Sequence, residues 1–295
     1  MVTVVVMLSG PHRLAMLETA LNSIPIDSPA ISEVHIRNQG GPWDWAPALR
    51  ARWESHPKVR IIEFPDRVDF AKSYNRTVDQ VKSPWVMLLP DDDYLLKEPA
   101  RVAFESVVAH PNGEQYGFAA FGWYYLKNGR FLKSYVKRRN LWGALYHLPK
   151  LVTMLINVRR LREIGGFDGT TGGFNDIVLF SQLAYEYDAL IAETPIGVYR
   201  MHEGQESAKM QAVYAPFVPA VSALLGRYAR SAKERKEFER SLASYAPRNG
   251  RSGPLRTLLQ DMSFGVRSET HPNETHRHVE FRKWSTRHWL PIGPL

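Results

Sequence analysis

Three consecutive carboxylates, Asp91, Asp92 and Asp93, follow an apolar run from Trp85 to Leu89. Such a run reads as a buried strand that stops at an acidic tip. Adjacent carboxylates repel one another unless a cation or a set of hydrogen-bond donors sits among them. In an open α/β sheet the ligand crevice lies outside the carboxyl ends of the strands. Hard oxygen ligands placed there suit Mg2+ or Mn2+ carrying a phosphate-bearing ligand. The competing reading is a solvated acidic turn or a helix cap.

The elements that must carry this tip are legible in the hydrophobic pattern. Val2 to Leu8 is a β-branched first strand, broken by Ser9-Gly-Pro-His-Arg13 and followed by a helix over Leu14 to Ser23. Val34 to Arg37 and Val59 to Glu63 read as further strands, Asp69 to Val81 as a helix, and Trp85 to Leu89 as the fourth strand. Strands alternating with helices at this spacing predict a doubly wound, largely parallel α/β sheet with right-handed crossovers. A helix over Pro99 to Ala109 comes next, then an aromatic strand, Tyr116 to Leu126. Asn128-Gly129 predicts a tight hairpin, with Arg130 to Val136 returning. Leu151 to Asn157 reads as a strand and Val158 to Ile164 as a short helix stopped by Gly165-Gly166. A helix over Phe174 to Tyr187 and short strands over Ala189 to Glu193 and Ile196 to Met201 follow. Ala220 to Ala229 and Lys233 to Ala243 read as helices, while the tail from Ser263 has no clear period.

With 295 residues, 44% of them apolar, the chain has the composition of an ordinary globular protein. It contains no cysteine, which removes disulfides, thiolate nucleophiles and cysteine-ligated metals together. No apolar run approaches the roughly 18 residues that span a bilayer. The opening Met1 to Leu8 lacks a basic lead-in, so it reads as a strand and not as a signal peptide. A soluble, cytoplasmic protein is the expectation. The charge is uneven: residues 1–114 carry 12 Lys/Arg against 15 Asp/Glu, and the remainder of the net +8 chain is strongly basic. Lys127 to Arg162 holds ten Lys/Arg and no acid. Such a window favours a polyanionic partner (nucleic acid, a phosphorylated glycan or an anionic membrane surface), and a solvated surface of no function is the competing reading.

The order of motifs resembles family 2 glycosyltransferases of the GT-A fold: an N-terminal strand, an acidic strand tip, Gly165-Gly-Phe-Asp168, Asn175-Asp176 at a helix start, and Tyr199-Arg-Met-His202. The resemblance covers about residues 1–207, divided into a nucleotide-sugar half (1–114) and an acceptor half (115–207), with a basic helical extension over 208–295. It implies a mostly parallel, Rossmann-like sheet flanked by helices. It further implies transfer of one sugar from a nucleotide-sugar, a UDP-sugar by preference, to a hydroxyl with inversion at the anomeric carbon. By that alignment Asp93 and His202 hold a divalent metal, Mn2+ or Mg2+. Ser9, Asn38, Asn75, Asp91, Asp92 and Arg200 line the donor, Asp92 contacting ribose or the metal, and Asp176 is the general base. The alternatives for single residues remain open: Asp176 as a first-turn carboxylate, His202 as a loop histidine, Arg200 as a surface ion-pair member. The sequence departs from the family pattern at three places. Asn38 stands near the usual nucleoside-binding aspartate, Pro90 replaces an acid, and Asn175 replaces a glutamate. A Gln-x-x-Arg-Trp element is not evident, so single-sugar transfer is expected over processive synthesis.

The acid-free window falls where the acceptor would bind and is interleaved with aromatics, giving Trp123, Lys137, Arg138, Arg139, Trp142 and Asn175 as acceptor-side residues. A cell-surface glycan or lipid-linked sugar, with possible peripheral membrane contact, is the expected acceptor. Arg and Lys alternating with aromatics also fit DNA bearing a hydroxymethylated pyrimidine. A catalytically inactive sugar- or nucleic-acid-binding module is the non-enzymatic alternative.

Overall fold

The computed structural model describes residues 1–134, 150–202, 204–205, 217–228, 231–243, 279 and 282–284. The β-branched run Val2–Met7 (β1) is buried along nearly its whole length, as a strand covered on both faces must be. It pairs in parallel with Ile31–Gln39 (β2) on one side and Trp85–Pro90 (β4) on the other, and β2 pairs in parallel with Val59–Phe64 (β3). The crossovers are Leu14–Ser23 (α1), Pro47–Glu54 (α2) and Phe70–Asp79 (α3). Helix α2 lies in a stretch where the sequence pattern suggested no element. It is about two amphipathic turns with Leu49 and Trp53 buried, too short for its period to stand out. Asp69 caps α3 through Lys72 N–H.

Beyond β4 come Tyr94–Leu95 (β5), Lys97–Val108 (α4), Phe118–Lys127 (β6), Arg130–Ser134 (β7) and Met154–Asn157 (β8). Val158–Glu163 (α5), Asn175–Tyr187 (α6) and Ala189–Arg200 (β9) follow. The sheet order is β10-β9-β6-β8-β4-β1-β2-β3, where β10 is Arg282–Trp284. The predicted hairpin is present: Asn128 and Gly129 both have positive φ, as a type I′ turn demands, and Lys127 faces Arg130. The two short strands expected over 189–201 are one strand, with an irregularity around Glu193–Pro195 opposite Gly122. The extension expected to be helical supplies Val218–Gly226 (α7) and Ala232–Ala243 (α8), but also β10, which adds antiparallel to Ala189–Ile191. None of the described helices is long and apolar enough to cross a membrane.

Strand direction decides what meets at the acidic tip. β8 runs antiparallel to both β4 and β6, and β9 runs parallel to β6. Hence β1, β2, β4, β6 and β9 all end at the same edge, while β8 begins there. Met7 faces both Arg37 and Pro90 across the sheet, so Ser9, Asn38 and Asp91 lie just beyond one row. The end of β9 delivers Arg200 and His202, and the residues preceding β8 deliver Lys150.

Candidate active site

The three carboxylates fold into three different environments. Asp91 accepts from Ser9 N–H (2.6 Å), Ser9 Oγ (2.9 Å) and Arg13 Nη1 (3.1 Å), which ties the β1–α1 loop to the tip. Burial pushes its pKa up against those donors. Asp92 Oδ2 lies 2.8 Å from Arg13 Nη1 and 3.1 Å from His202 Nε2. Asp93 is enclosed, with Oδ1 accepting Arg200 N–H at 2.9 Å. Burial and the neighbouring Asp92 push the Asp93 carboxyl well above the usual carboxylate range. It is therefore Asp92 that shares a point in space with His202. Asp93, the metal ligand expected from the alignment, instead accepts Arg200 N–H from the end of β9.

Whether a divalent cation fits can be judged from this donor set. One carboxylate oxygen and one imidazole nitrogen 3.1 Å apart suit Mn2+. Among the described residues no group of three metal-ligating side chains converges. The described residues thus offer two donors here, leaving coordination positions for ligand oxygens and water.

Asp176 lies in the first turn of α6, where the chain leaves the turn Gly169–Phe174. That turn is set by Asp168, whose Oδ1 accepts both Thr170 N–H and Thr170 Oγ, and by Thr171 Oγ donating to Asn175 Oδ1. Asp176 keeps a solvent-touching edge but is closely surrounded by protein, and burial raises its pKa. Lys150 is the main group opposing that rise. The Lys150 ammonium lies 5.0 Å from the centre of the Tyr199 ring and 5.9 Å from that of Tyr125. Its charge also bears on Asp93.

Tyr74 stands on α3. Its phenol is pushed up by burial first, then by the charges of Asp92, Asp91 and Asp176. Its ring packs on Phe70 (4.2 Å between centres) and Phe167 (5.2 Å). Behind it Arg37 is wholly buried, stacked on Phe64 at 4.4 Å and donating to Ser73 Oγ. Its Nε and Nη2 have no partner among the described residues, and burial pulls its pKa down to about 10.

The expected site residues separate accordingly. Ser9, Asp91, Asp92, Asp93, Arg200 and His202 are brought together at the strand-end edge, while Asp176 stands on α6 with its charge acting, like those of Asp91 and Asp92, on Tyr74. Asn38 is at that edge too, with Nδ2 donating to Gly41 O at 2.9 Å and Oδ1 uncommitted among the described residues. Arg200 stacks on Tyr94 at 4.7 Å, and burial pulls its pKa down. Asn75 departs from expectation: Nδ2 donates to Phe167 O at 2.9 Å and Oδ1 accepts Phe167 N–H at 2.8 Å, so the amide braces the Gly-Gly-Phe-Asp segment. Gly166, at φ +78, leaves the room that this clamp needs. Asn175 is buried and held by Thr171. Trp123 requires correction as an acceptor residue: it lies in the core beneath α6 with no exposed surface, Tyr125 is buried in the same core, and Tyr124 and Phe131 are buried in a separate cluster with Leu96 and Val198. Lys137, Arg138, Arg139 and Trp142 lie outside the described residues. The basic window is divided too. Arg159 and Arg160 pair with Glu163, and Arg162 donates to Val78 O and Val81 O, at the opposite end of β4 from the tip.

Sequence reading missed Arg13, Tyr74 and Lys150. Arg13 lay in a loop read only as a strand break, Tyr74 beside the asparagine that drew attention, and Lys150 among ten basic residues.

The fold these elements make is a mixed α/β sandwich with the GT-A arrangement, the parallel half bearing the acidic tip at its carboxyl edge. Among solved structures, residues 1–349 of S. aureus TarS align with TM-score 0.60 at 12% identity, covering 83% of this chain and 71% of that chain. A second TarS structure, in complex with UDP-GlcNAc, aligns with TM-score 0.55 at 14% identity, covering 83% of this chain and 80% of that one. The mannosyltransferase PcManGT from Pyrobaculum calidifontis, in complex with GDP-Man and Mn2+, aligns with TM-score 0.56 at 20% identity, covering 83% and 69%. No protein-family model matches the chain, and no curated protein sequence does.

Proposed function

We propose that the protein is a nucleotide-sugar-dependent glycosyltransferase that moves one sugar to an acceptor hydroxyl with inversion. The observation that carries this reading is the acidic tip at the carboxyl edge of the sheet, where Asp92 Oδ2 lies 3.1 Å from His202 Nε2 and Asp91 is tied to Ser9 and Arg13. In this reading the donor diphosphate lies at the tip and its anomeric carbon is presented to Asp176. The similarity to structures holding UDP-GlcNAc and GDP-Man with Mn2+ supports the same reading.

In this mechanism Asp176 takes the proton from the acceptor hydroxyl as its oxygen attacks the anomeric carbon. The bond from that carbon to the diphosphate oxygen breaks on the opposite face, and the nucleoside diphosphate departs. Asp92 and His202 would hold a divalent cation, which when bound neutralises charge on the diphosphate. Arg200 and Lys150 add positive charge around the leaving group. Lys150 also favours the ionised, base-competent form of Asp176. Asn38 Oδ1 is free to accept from the base or ribose of the nucleoside, a UDP-sugar being the preferred donor. An anionic glycan or lipid-linked sugar fits the basic acceptor half, and among the described residues of the basic window Lys150 bears on Asp93 and Asp176.

The direct test is nucleotide release from UDP-GlcNAc and GDP-Man in Mn2+ with a panel of glycan, lipid-linked and hydroxymethylated-DNA acceptors. The expected result is acceptor-stimulated release from one donor, abolished in Asp176→Asn. Release from neither donor with any acceptor, by a folded protein that binds no nucleoside diphosphate, sinks the reading.

A further inference from the structure

The acidic tip already contains a cation. Arg13 follows Gly10 in the short turn Pro11–Arg13, and its side chain is only 14% exposed. Its Nη1 contacts Asp91 Oδ1 at 3.1 Å and Asp92 Oδ2 at 2.8 Å, and its Nη2 donates to Gly204 O at 3.1 Å. One guanidinium therefore links the β1–α1 loop, the tip of β4 and the segment after His202. The contested atom is Asp92 Oδ2, which also lies 3.1 Å from His202 Nε2. A metal held between Asp92 and His202 needs that oxygen's electrons, and it brings two positive charges close to the guanidinium.

We infer that Arg13 is a built-in counter-cation that keeps the Asp92–His202 pair closed to a divalent metal alone and makes metal and nucleoside diphosphate bind together. This rests on the donor-site reading above. To yield Asp92 to a metal, Arg13 must exchange a carboxylate for another anion, and the diphosphate is the anion the site is built to receive. Each ligand then prepares the site for the other, and the coupling is reciprocal. Arg13 acts through the metal pair and is a positioning residue.

The test is Mn2+ binding, followed by loss of the free-ion paramagnetic resonance signal, for wild type, Arg13→Gln and Arg13→Lys, each with and without UDP and, in parallel, GDP. Wild type is expected to bind Mn2+ weakly alone and at least about tenfold more tightly with one of the nucleotides. Arg13→Gln should bind Mn2+ alone about tenfold more tightly than wild type, the effect of removing one unit charge about 5 Å from a dication in a water-like dielectric. Its gain on adding nucleotide should shrink. Arg13→Lys keeps the charge and should resemble wild type, and melting curves establish that all three proteins are folded. Nucleotide-linked Mn2+ binding in wild type, with Arg13→Gln no tighter for Mn2+ alone, overturns the role of Arg13 and leaves the donor site standing. Absence of Mn2+ binding by wild type under every condition overturns both.

Discussion

Asn75 gives the sharpest separation between a donor contact and a structural clamp. Its amide makes two hydrogen bonds to the backbone of one residue, Phe167, at 2.8 and 2.9 Å. Phe167 is 3% exposed, so replacing Asn75 by Ala strands a buried N–H and a buried carbonyl together. Each such loss costs about 1–3 kcal/mol, and water admitted to the vacated space recovers part of it, giving about 2–4 kcal/mol in all. For a chain of this size that corresponds to a fall in Tm of about 4–10 °C. Asn75→Asp keeps an acceptor for Phe167 N–H but sets a carboxylate against the Phe167 carbonyl, and should lose at least as much. The assay is thermal unfolding of both variants, paired with UDP titration in Mn2+ well below the lowered Tm. The clamp predicts lower Tm with UDP affinity within about threefold of wild type. Unchanged Tm with affinity down about tenfold or more would refute the reasoning and return Asn75 to the donor site.

Further expectations attach to other residues. Asp176→Asn should lower kcat by about 10²–10⁴ while leaving UDP affinity unchanged, measured by nucleotide release and calorimetry. The same variant should melt about 2–4 °C higher at neutral pH. The pKa of Asp176 is raised by burial, so its charge destabilises the fold above that pKa and the penalty fades as pH falls through it; the gain in Asp176→Asn should disappear in acid. Because activity needs ionised Asp176, the acid limb of the kcat–pH profile should be displaced upward from the usual aspartate value. Lys150→Met should move it higher still, and a limb that stays put would exclude Lys150 from this role. Gly122→Ala drives a Cβ into the backbone of Glu193 at the irregularity between β6 and β9, and should cost about 2–3 kcal/mol in unfolding free energy measured with urea.

The parallel half of the fold was legible because its strands are buried on both faces and so read as continuous apolar runs, as Val2–Met7 and Trp85–Pro90 do. The hairpin was legible because only a few residue pairs tolerate two successive positive φ values. The resemblance of motif order led to Asp92 and His202, which the fold brings within 3.1 Å of each other, and to Asp176 at the start of α6. The role of single residues within the site was less visible, because tertiary pairing decides it. Nothing local distinguishes Asp92 from Asp93; the difference is which of them β9 covers. The aromatic strand misled for a related reason. Trp123, Tyr124 and Tyr125 show no polar alternation, which fits a central strand buried on both faces better than a stacking surface. Asn75 was found in the right place with a different task, since its partner Phe167 is 92 residues away.

The central claim is that nucleoside diphosphate and metal share the tip formed by Asp92 and His202. Its most direct test is calorimetric titration of UDP, and of GDP in parallel, into the full chain with Mn2+ and with metal removed, repeated for Asp92→Asn. The account predicts binding of one nucleotide that depends on Mn2+ in wild type and is lost in the variant. Binding that is indifferent both to Mn2+ and to Asp92→Asn, or no binding of either nucleotide to the folded protein, would contradict it.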